Sequence, residues 1–192
     1  MMKTVDLHRR RFVKLSLQAG LLCALPSALK AAVLTTDPAL VSTAAATRKL
    51  ALYNIHTKEF VETCYYTGGE YQASGLARIN HVLRDHRTGD ISPMNTQLLD
   101  TLFDIRCKLD DCGTFSVISG YRSPATNAML RRVTTGVAKN SYHMQGKAID
   151  IRLRGCPTDK LRDLCLQTRA GGVGYYPKSN FVHLDVGPVR SW

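Results

Sequence analysis

Two histidines and an aspartate carry the chemistry most worth following in this chain. His143 and Asp150 stand in the run Ser141-Tyr142-His143-Met144-Gln145-Gly146-Lys147-Ala148-Ile149-Asp150, and His183 stands in Phe181-Val182-His183-Leu184-Asp185. Two imidazoles and one carboxylate form a ligand set for catalytic zinc, with a fourth coordination position left for water. The chain therefore reads first as a metallohydrolase holding one Zn2+ on His143, Asp150 and His183. Gly146 lets the backbone turn tightly between the first two ligands, and the small Ala148 leaves room for an ion beside Asp150. Spacing by itself carries little weight, because a histidine and an aspartate this far apart occur often by chance and a surface or structural histidine is the commoner outcome.

The elements that must bring these residues together follow from hydrophobic periodicity. Lys49 to Asn54 reads as a strand and Phe60 to Tyr65 as a second, joined through Thr57-Lys58-Glu59 into an opening hairpin. Between Ser74, a candidate N-cap, and Arg87, the residues Leu76, Ile79, Val82 and Leu83 space as a helix, with Gly89 as its stop. Asn95 to Cys107 repeats that pattern, Phe115 to Ser119 is a short strand ended by Gly120, and Pro124 fits the first turn of a helix reaching Arg132. From Lys147 to Leu153, Ile149, Ile151 and Leu153 point one way while Ala148, Asp150 and Arg152 point the other, so the carboxylate faces away from the core. Thr158 to Thr168 reads as a helix and Phe181 to Val186 as a last strand on which His183 and Asp185 share a face. The class is α+β: a single domain with a mainly antiparallel sheet flanked by helices. His56, His81 and His86 read as structural, since His81 and His86 do not share a helix face as an i,i+4 metal pair would.

At the N-terminus, Arg9-Arg10-Arg11-Phe12-Val13-Lys14 leads into the mostly apolar Leu15 to Leu25 and then Pro26-Ser27-Ala28. These are the basic, apolar and small-residue regions of an export signal. The twin arginine before Phe-Val-Lys resembles a Tat signal, which implies a periplasmic destination. The apolar run is too short to span a bilayer comfortably, so membrane contact is expected only during export, an uncleaved anchor being the competing reading. Residues 1–46 are expected to be signal and short linker, with cleavage somewhere from Ala31 to Ala44-Ala45-Ala46, and residues 47–192 one catalytic domain.

The formal net charge is +11; residues 47–192 keep 20 of the 26 Lys/Arg and 13 of the 15 Asp/Glu, a net +7. That excess suits an anionic polymer. Nucleic acid is not expected, because no nucleic-acid motif and no basic run follows the signal. A carboxylate-rich cell wall fits an exported protein better. Beyond the signal lie Cys64, Cys107, Cys112, Cys156 and Cys165, an odd number without a CxxC motif. A Cys107–Cys112 or Cys156–Cys165 bridge and buried free thiols stand as equal alternatives.

Four motifs then occur in order: Ser119-Gly120-Tyr121-Arg122-Ser123; Ser141-x-His143-x-x-Gly146-x-Ala148-x-Asp150; Gly171-Gly172-Val173-Gly174-Tyr175-Tyr176-Pro177; and Phe181-Val182-His183-Leu184-Asp185 followed by Arg190-Ser191-Trp192. Together with Leu52-Tyr53-Asn54-x-His56-Thr57 they resemble the MepK type of murein endopeptidase, in the zinc-peptidase superfamily of VanX-like D,D-dipeptidases and hedgehog-like domains. The resemblance implies a hedgehog/D,D-peptidase-like fold, zinc on His143, Asp150 and His183, and peptidoglycan stem peptides as substrate. It implies hydrolysis of crosslinks between two diaminopimelate residues, an L,D bond; with the Tat-like signal, the enzyme is expected in the periplasm, and as a monomer. A D,D-carboxypeptidase trimming D-Ala and a non-catalytic zinc-containing wall-binding domain are the alternatives. VanX-like relatives carry an acid three positions before the last histidine as general base; here that position is Asn180. Asp185 is the substitute base, its competing role being to orient a ligand. Arg122, in a motif near the substrate, is expected to bind a stem-peptide carboxylate or stabilise the oxyanion, and Ser141 to hydrogen-bond substrate or shape its loop.

Overall fold

Alternating burial builds the sheet. On β1 (Arg48–Asn54) Leu50 and Leu52 are buried, and on β2 (Phe60–Thr67) Val61, Thr63 and Tyr65 face the same way. The computed structural model describes residues 47–109 and 113–192. The expected signal and linker, and Cys112 with its possible bridge to Cys107, lie outside them. The remaining strands are β3 (Glu70–Tyr71), β4 (Phe115–Ser119), β5 (Ala148–Leu153), β6 (Gly172–Tyr176), β7 (Phe181–Asp185) and β8 (Arg190–Ser191). They form one sheet in the order β3-β2-β1-β4-β5-β7-β6-β8, antiparallel except where β1 meets β4 and β6 meets β8. With α1 (Ala73–Val82), α2 (Thr96–Cys107), α3 (Pro124–Val133) and α4 (Thr158–Thr168), this is the α+β architecture expected.

Helices α1, α2 and α4 pack on the face bearing Leu50, Leu52, Phe115, Val117, Ile149, Ile151, Val182 and Leu184. Each of these side chains is at most 1% exposed, and burying one contributes roughly 1.5–3 kcal/mol. Period two then sends Asp150 on β5, and His183 and Asp185 on β7, to the opposite face. No helix among the described residues is long and apolar enough to cross a membrane.

Local signals set most boundaries. Asn95 caps α2 by accepting from the N–H groups of Gln97 and Leu98, and Ser123 with Pro124 starts α3. The helix read from Ser74 to Arg87 instead runs Ala73–Val82, with Gln72 at its N-cap and Ser74 inside its first turn. Tertiary partners take the carbonyls that a longer helix would use: Asn54 Nδ2 donates to Val82 O (2.9 Å) and Tyr121 N–H to Leu83 O (2.8 Å). Three strands carry no clear signal in the sequence: β6 because three glycines in Gly171-Gly172-Val173-Gly174 mask a strand, and β3 and β8 because two residues carry no period. Cys64, Cys156 and Cys165 are thiols, so the Cys156–Cys165 bridge does not form; burial pushes the Cys165 thiol up to about 12.

Candidate metal centre

Strand register brings two of the three ligands together. Asp150 on β5 is the direct antiparallel partner of His183 on β7, so both side chains leave the sheet on the same face. His143 comes from a 3₁₀ turn, Tyr142–Gln145, immediately before β5. Ser141 begins that turn by accepting from His143 N–H (3.3 Å), and Gly146 ends it at φ 64°, a conformation glycine adopts freely. The turn is tied down from outside by Asn95 N–H donating to Gly146 O (2.9 Å) and Arg122 N–H donating to His143 O (3.1 Å).

The three ligand atoms form a triangle. His143 Nε2 lies 3.2 Å from His183 Nδ1 and 3.4 Å from Asp150 Oδ1, and His183 Nδ1 lies 2.8 Å from Asp150 Oδ1. A tetrahedral zinc with bonds of about 2.0–2.1 Å sets its ligands about 3.3 Å apart, so these atoms fit the ion with small adjustments. They are the one His/Cys/Asp/Glu group among the described residues arranged to hold a metal. The far ring nitrogens are both engaged: His143 Nδ1 faces Gly120 O at 2.8 Å and His183 Nε2 faces Asp185 Oδ2 at 3.0 Å. With protons on those nitrogens, Nε2 of His143 and Nδ1 of His183 present lone pairs to a shared point, the arrangement by which outer partners orient metal-bound imidazoles. Burial alone raises the Asp150 carboxyl, but the charge and hydrogen bonds of the two histidines outweigh it and hold it well below the usual range. Burial likewise lowers His183, yet hydrogen bonds that its ring donates to Asp150 and Asp185 leave it well above an ordinary histidine.

Around the triangle lies a cavity of about 540 Å³, lined by Arg122, Ser141, Tyr142, Tyr176, Phe181 and Trp192 among others. Among the described residues, Asp150 and Asp185 are the only carboxylates that line it. Arg122 Nη1 donates to Asn127 Oδ1 (3.3 Å) and Nη2 stands 4.0 Å from Asp150 Oδ2, which leaves guanidinium donors for a ligand. Ser141 lines the cavity while its oxygen accepts the cap bond. Asp185 is fully buried behind His183 and accepts from Gly172 N–H (3.1 Å), Gly187 N–H (2.8 Å) and Arg190 as well as from His183. Asn180 turns the chain into β7 at φ 51°, a left-handed conformation that asparagine tolerates, and its side-chain oxygen accepts from Thr158 Oγ1 rather than facing the cavity. Arg190 and Trp192 are site neighbours that residue-by-residue reading misses; their only signal was membership of the Arg190-Ser191-Trp192 motif. His56, His81 and His86 stay outside, His56 stacking on His86 and His81 meeting Glu59.

Comparison with known proteins gives a consistent set of relatives. A family model, Peptidase_M15_2, described as "Peptidoglycan L,D-endopeptidase MepK", matches residues 42–192. The Peptidoglycan L,D-endopeptidase MepK of Escherichia coli (strain K12) is 42% identical over 165 residues, covering 86% of this chain and 91% of that protein. The protein of that name from Shigella flexneri matches to the same extent. The Probable peptidoglycan L,D-endopeptidase MepK of Haemophilus influenzae is 38% identical over 192 residues, 100% of this chain and 98% of its own length. No solved structure gives a significant match.

Proposed function

The chain belongs to the Peptidase_M15_2 family of MepK-type peptidoglycan L,D-endopeptidases, and from that premise we propose that it cuts L,D crosslinks between diaminopimelate residues with one zinc held by His143, Asp150 and His183. It is a peptidoglycan endopeptidase. The observation that carries the metal reading is the triangle of His143 Nε2, His183 Nδ1 and Asp150 Oδ1, with sides of 2.8 to 3.4 Å. When bound, zinc supplies a Lewis acid for the scissile carbonyl and brings the pKa of a coordinated water down to roughly 7.

This chain's own residues do the rest. Gly120 O and Asp185 hold the two imidazoles in the tautomers that bind metal. Arg122, its charge only partly balanced by Asp150 at 4.0 Å, faces the cavity where a stem-peptide carboxylate or the developing oxyanion would lie. We assign Asp185 to orienting His183 rather than to taking a proton from water, since its oxygens are already bonded and it is 0% exposed. Ser141 shapes the ligand-bearing turn. The site is built within one chain, in keeping with a monomer, and the Tat-like signal supports export to the periplasm.

The experiment is digestion of defined muropeptides by zinc-loaded protein, read by liquid chromatography and mass spectrometry. Dimers joined through two diaminopimelates are expected to become monomers, while D-Ala–diaminopimelate dimers and monomeric pentapeptides stay intact. Cleavage of only the D-Ala-linked dimers, or release of D-Ala from the pentapeptide alone, would replace the L,D assignment by a D,D one.

A further inference from the structure

We propose that Arg190 is a positioning residue for the metal, clamping Asp185 so that Asp185 holds His183 with Nδ1 turned to the ion. The inference rests on the metal reading above. Arg190 meets Asp185 with both ends of its fork, Nη1 at 3.1 Å from Oδ1 and Nη2 at 2.6 Å from Oδ2, and Nη1 also donates to Pro188 O at 3.0 Å. Without it, Asp185 is a fully buried carboxylate whose charge meets only an imidazole and the N–H groups of Gly172 and Gly187, and Oδ2 keeps His183 as its one partner.

The guanidinium is itself held. Its centre lies 5.6 Å from the Tyr142 ring and 5.0 Å from the Trp192 ring, so aromatic faces from the His143 turn and from the segment after β8 flank it while the side chain stays 40% exposed. A Cβ on Gly172 would stand 2.3 Å from Nη1, and one on Gly187 2.6 Å from the Tyr142 ring, so a side chain at either position would push the stack out of this arrangement. Trp192 completes the contact, its ring 5.3 Å from that of His183 and its Nε1 donating to Tyr176 Oη at 2.8 Å. The Arg190-Ser191-Trp192 motif thus closes on the third ligand from behind. A substrate-binding arginine would keep its fork open, whereas this one is already occupied by Asp185.

The test measures zinc affinity by chelator competition in the parent, Arg190→Ala and Arg190→Lys, together with the visible absorption of the cobalt-substituted proteins. Arg190→Ala is expected to weaken zinc binding by roughly 10–100-fold, the usual effect of losing an outer-shell partner, and to change the cobalt band. Methylguanidinium, which fits the space left between Tyr142 and Trp192, is expected to restore affinity where sodium chloride of equal ionic strength does not. Arg190→Lys, with charge but no fork, falls between. Affinity within twofold of the parent in folded Arg190→Ala overturns the proposal, as does a loss that methylguanidinium leaves unchanged. A raised KM with unaltered zinc affinity also overturns it, in favour of a substrate contact. If Arg190→Ala does not fold, Arg190→Lys decides: several-fold weaker zinc binding at an unchanged metal-free Tm supports the clamp, and affinity within twofold overturns it. A parent that takes up no zinc overturns the clamp and the metal reading together.

Discussion

Replacing Asp185 by asparagine separates two roles that one carboxylate could play. Oδ1 of Asp185 accepts from Gly172 N–H, Gly187 N–H and Arg190, and Oδ2 accepts from His183 Nε2 and Arg190. An asparagine oxygen can satisfy the Oδ1 side, which points the amide NH2 at His183 Nε2. Two donors then oppose each other unless His183 moves its proton to Nδ1, the nitrogen that faces Asp150 at 2.8 Å and is needed by the metal. The penalty is that of a charge-assisted hydrogen bond, about 1.5–3 kcal/mol, or roughly 10–100-fold in zinc affinity. Chelator competition reads this directly, and steady-state assays at saturating zinc read what remains of turnover. An orienting Asp185 predicts weak zinc binding but a kcat within about tenfold of the parent once the site is filled, whereas loss of a general base costs typically 10²–10⁴-fold in rate. Zinc binding within twofold of the parent with a collapsed kcat would refute the orienting role and return Asp185 to that of base.

Three further outcomes follow from the same geometry. Arg122→Gln should lower kcat/KM by roughly 10–100-fold through lost charged hydrogen bonds while leaving zinc affinity unchanged, and an equal loss of zinc would instead make Arg122 a support for Asp150. Gly120→Ala places a Cβ 2.4 Å from Leu83 O, so a loss of about 1–3 kcal/mol is expected by thermal denaturation, with weaker zinc binding because Gly120 O holds His143; a parental Tm would contradict that close approach. Burial, then the neighbouring His56 charge, lowers His86 from 6.5 to about 4, so the unfolded chain takes up a proton there before the folded one does. Stability from this group is therefore complete above pH 6.5 and is lost as pH falls towards 4. After discounting for partial exposure it amounts to about 1 kcal/mol, or roughly 4 °C in Tm, and His86→Asn should show correspondingly less acid sensitivity.

Legibility tracked how local each determinant is. The face of Asp150 could be read because Ile149 and Ile151 declare the period of β5, and the start of α2 because Asn95 caps it from within its own segment. The end of α1 could not, since it depends on Asn54 and Tyr121 reaching the carbonyls of Val82 and Leu83 from distant positions. The three ligands were individually ordinary, and only the ordered motifs around them singled them out. Asn180 reads as a missing acid in sequence but as a left-handed turn residue in the fold, where its φ of 51° suits asparagine. Arg190 shows in the sequence only as part of the Arg190-Ser191-Trp192 motif, because its role comes from three elements that meet around it, Tyr142 before β5, Gly172 on β6 and Trp192 after β8.

Zinc titration of metal-free protein, followed by cleavage of a dimer crosslinked through two diaminopimelates, tests the central claim most directly. Activity should be absent without metal, rise in proportion to added zinc and break at one equivalent per chain, with His143→Ala inactive throughout. Cleavage by the metal-free protein, or none at one bound equivalent, would contradict it.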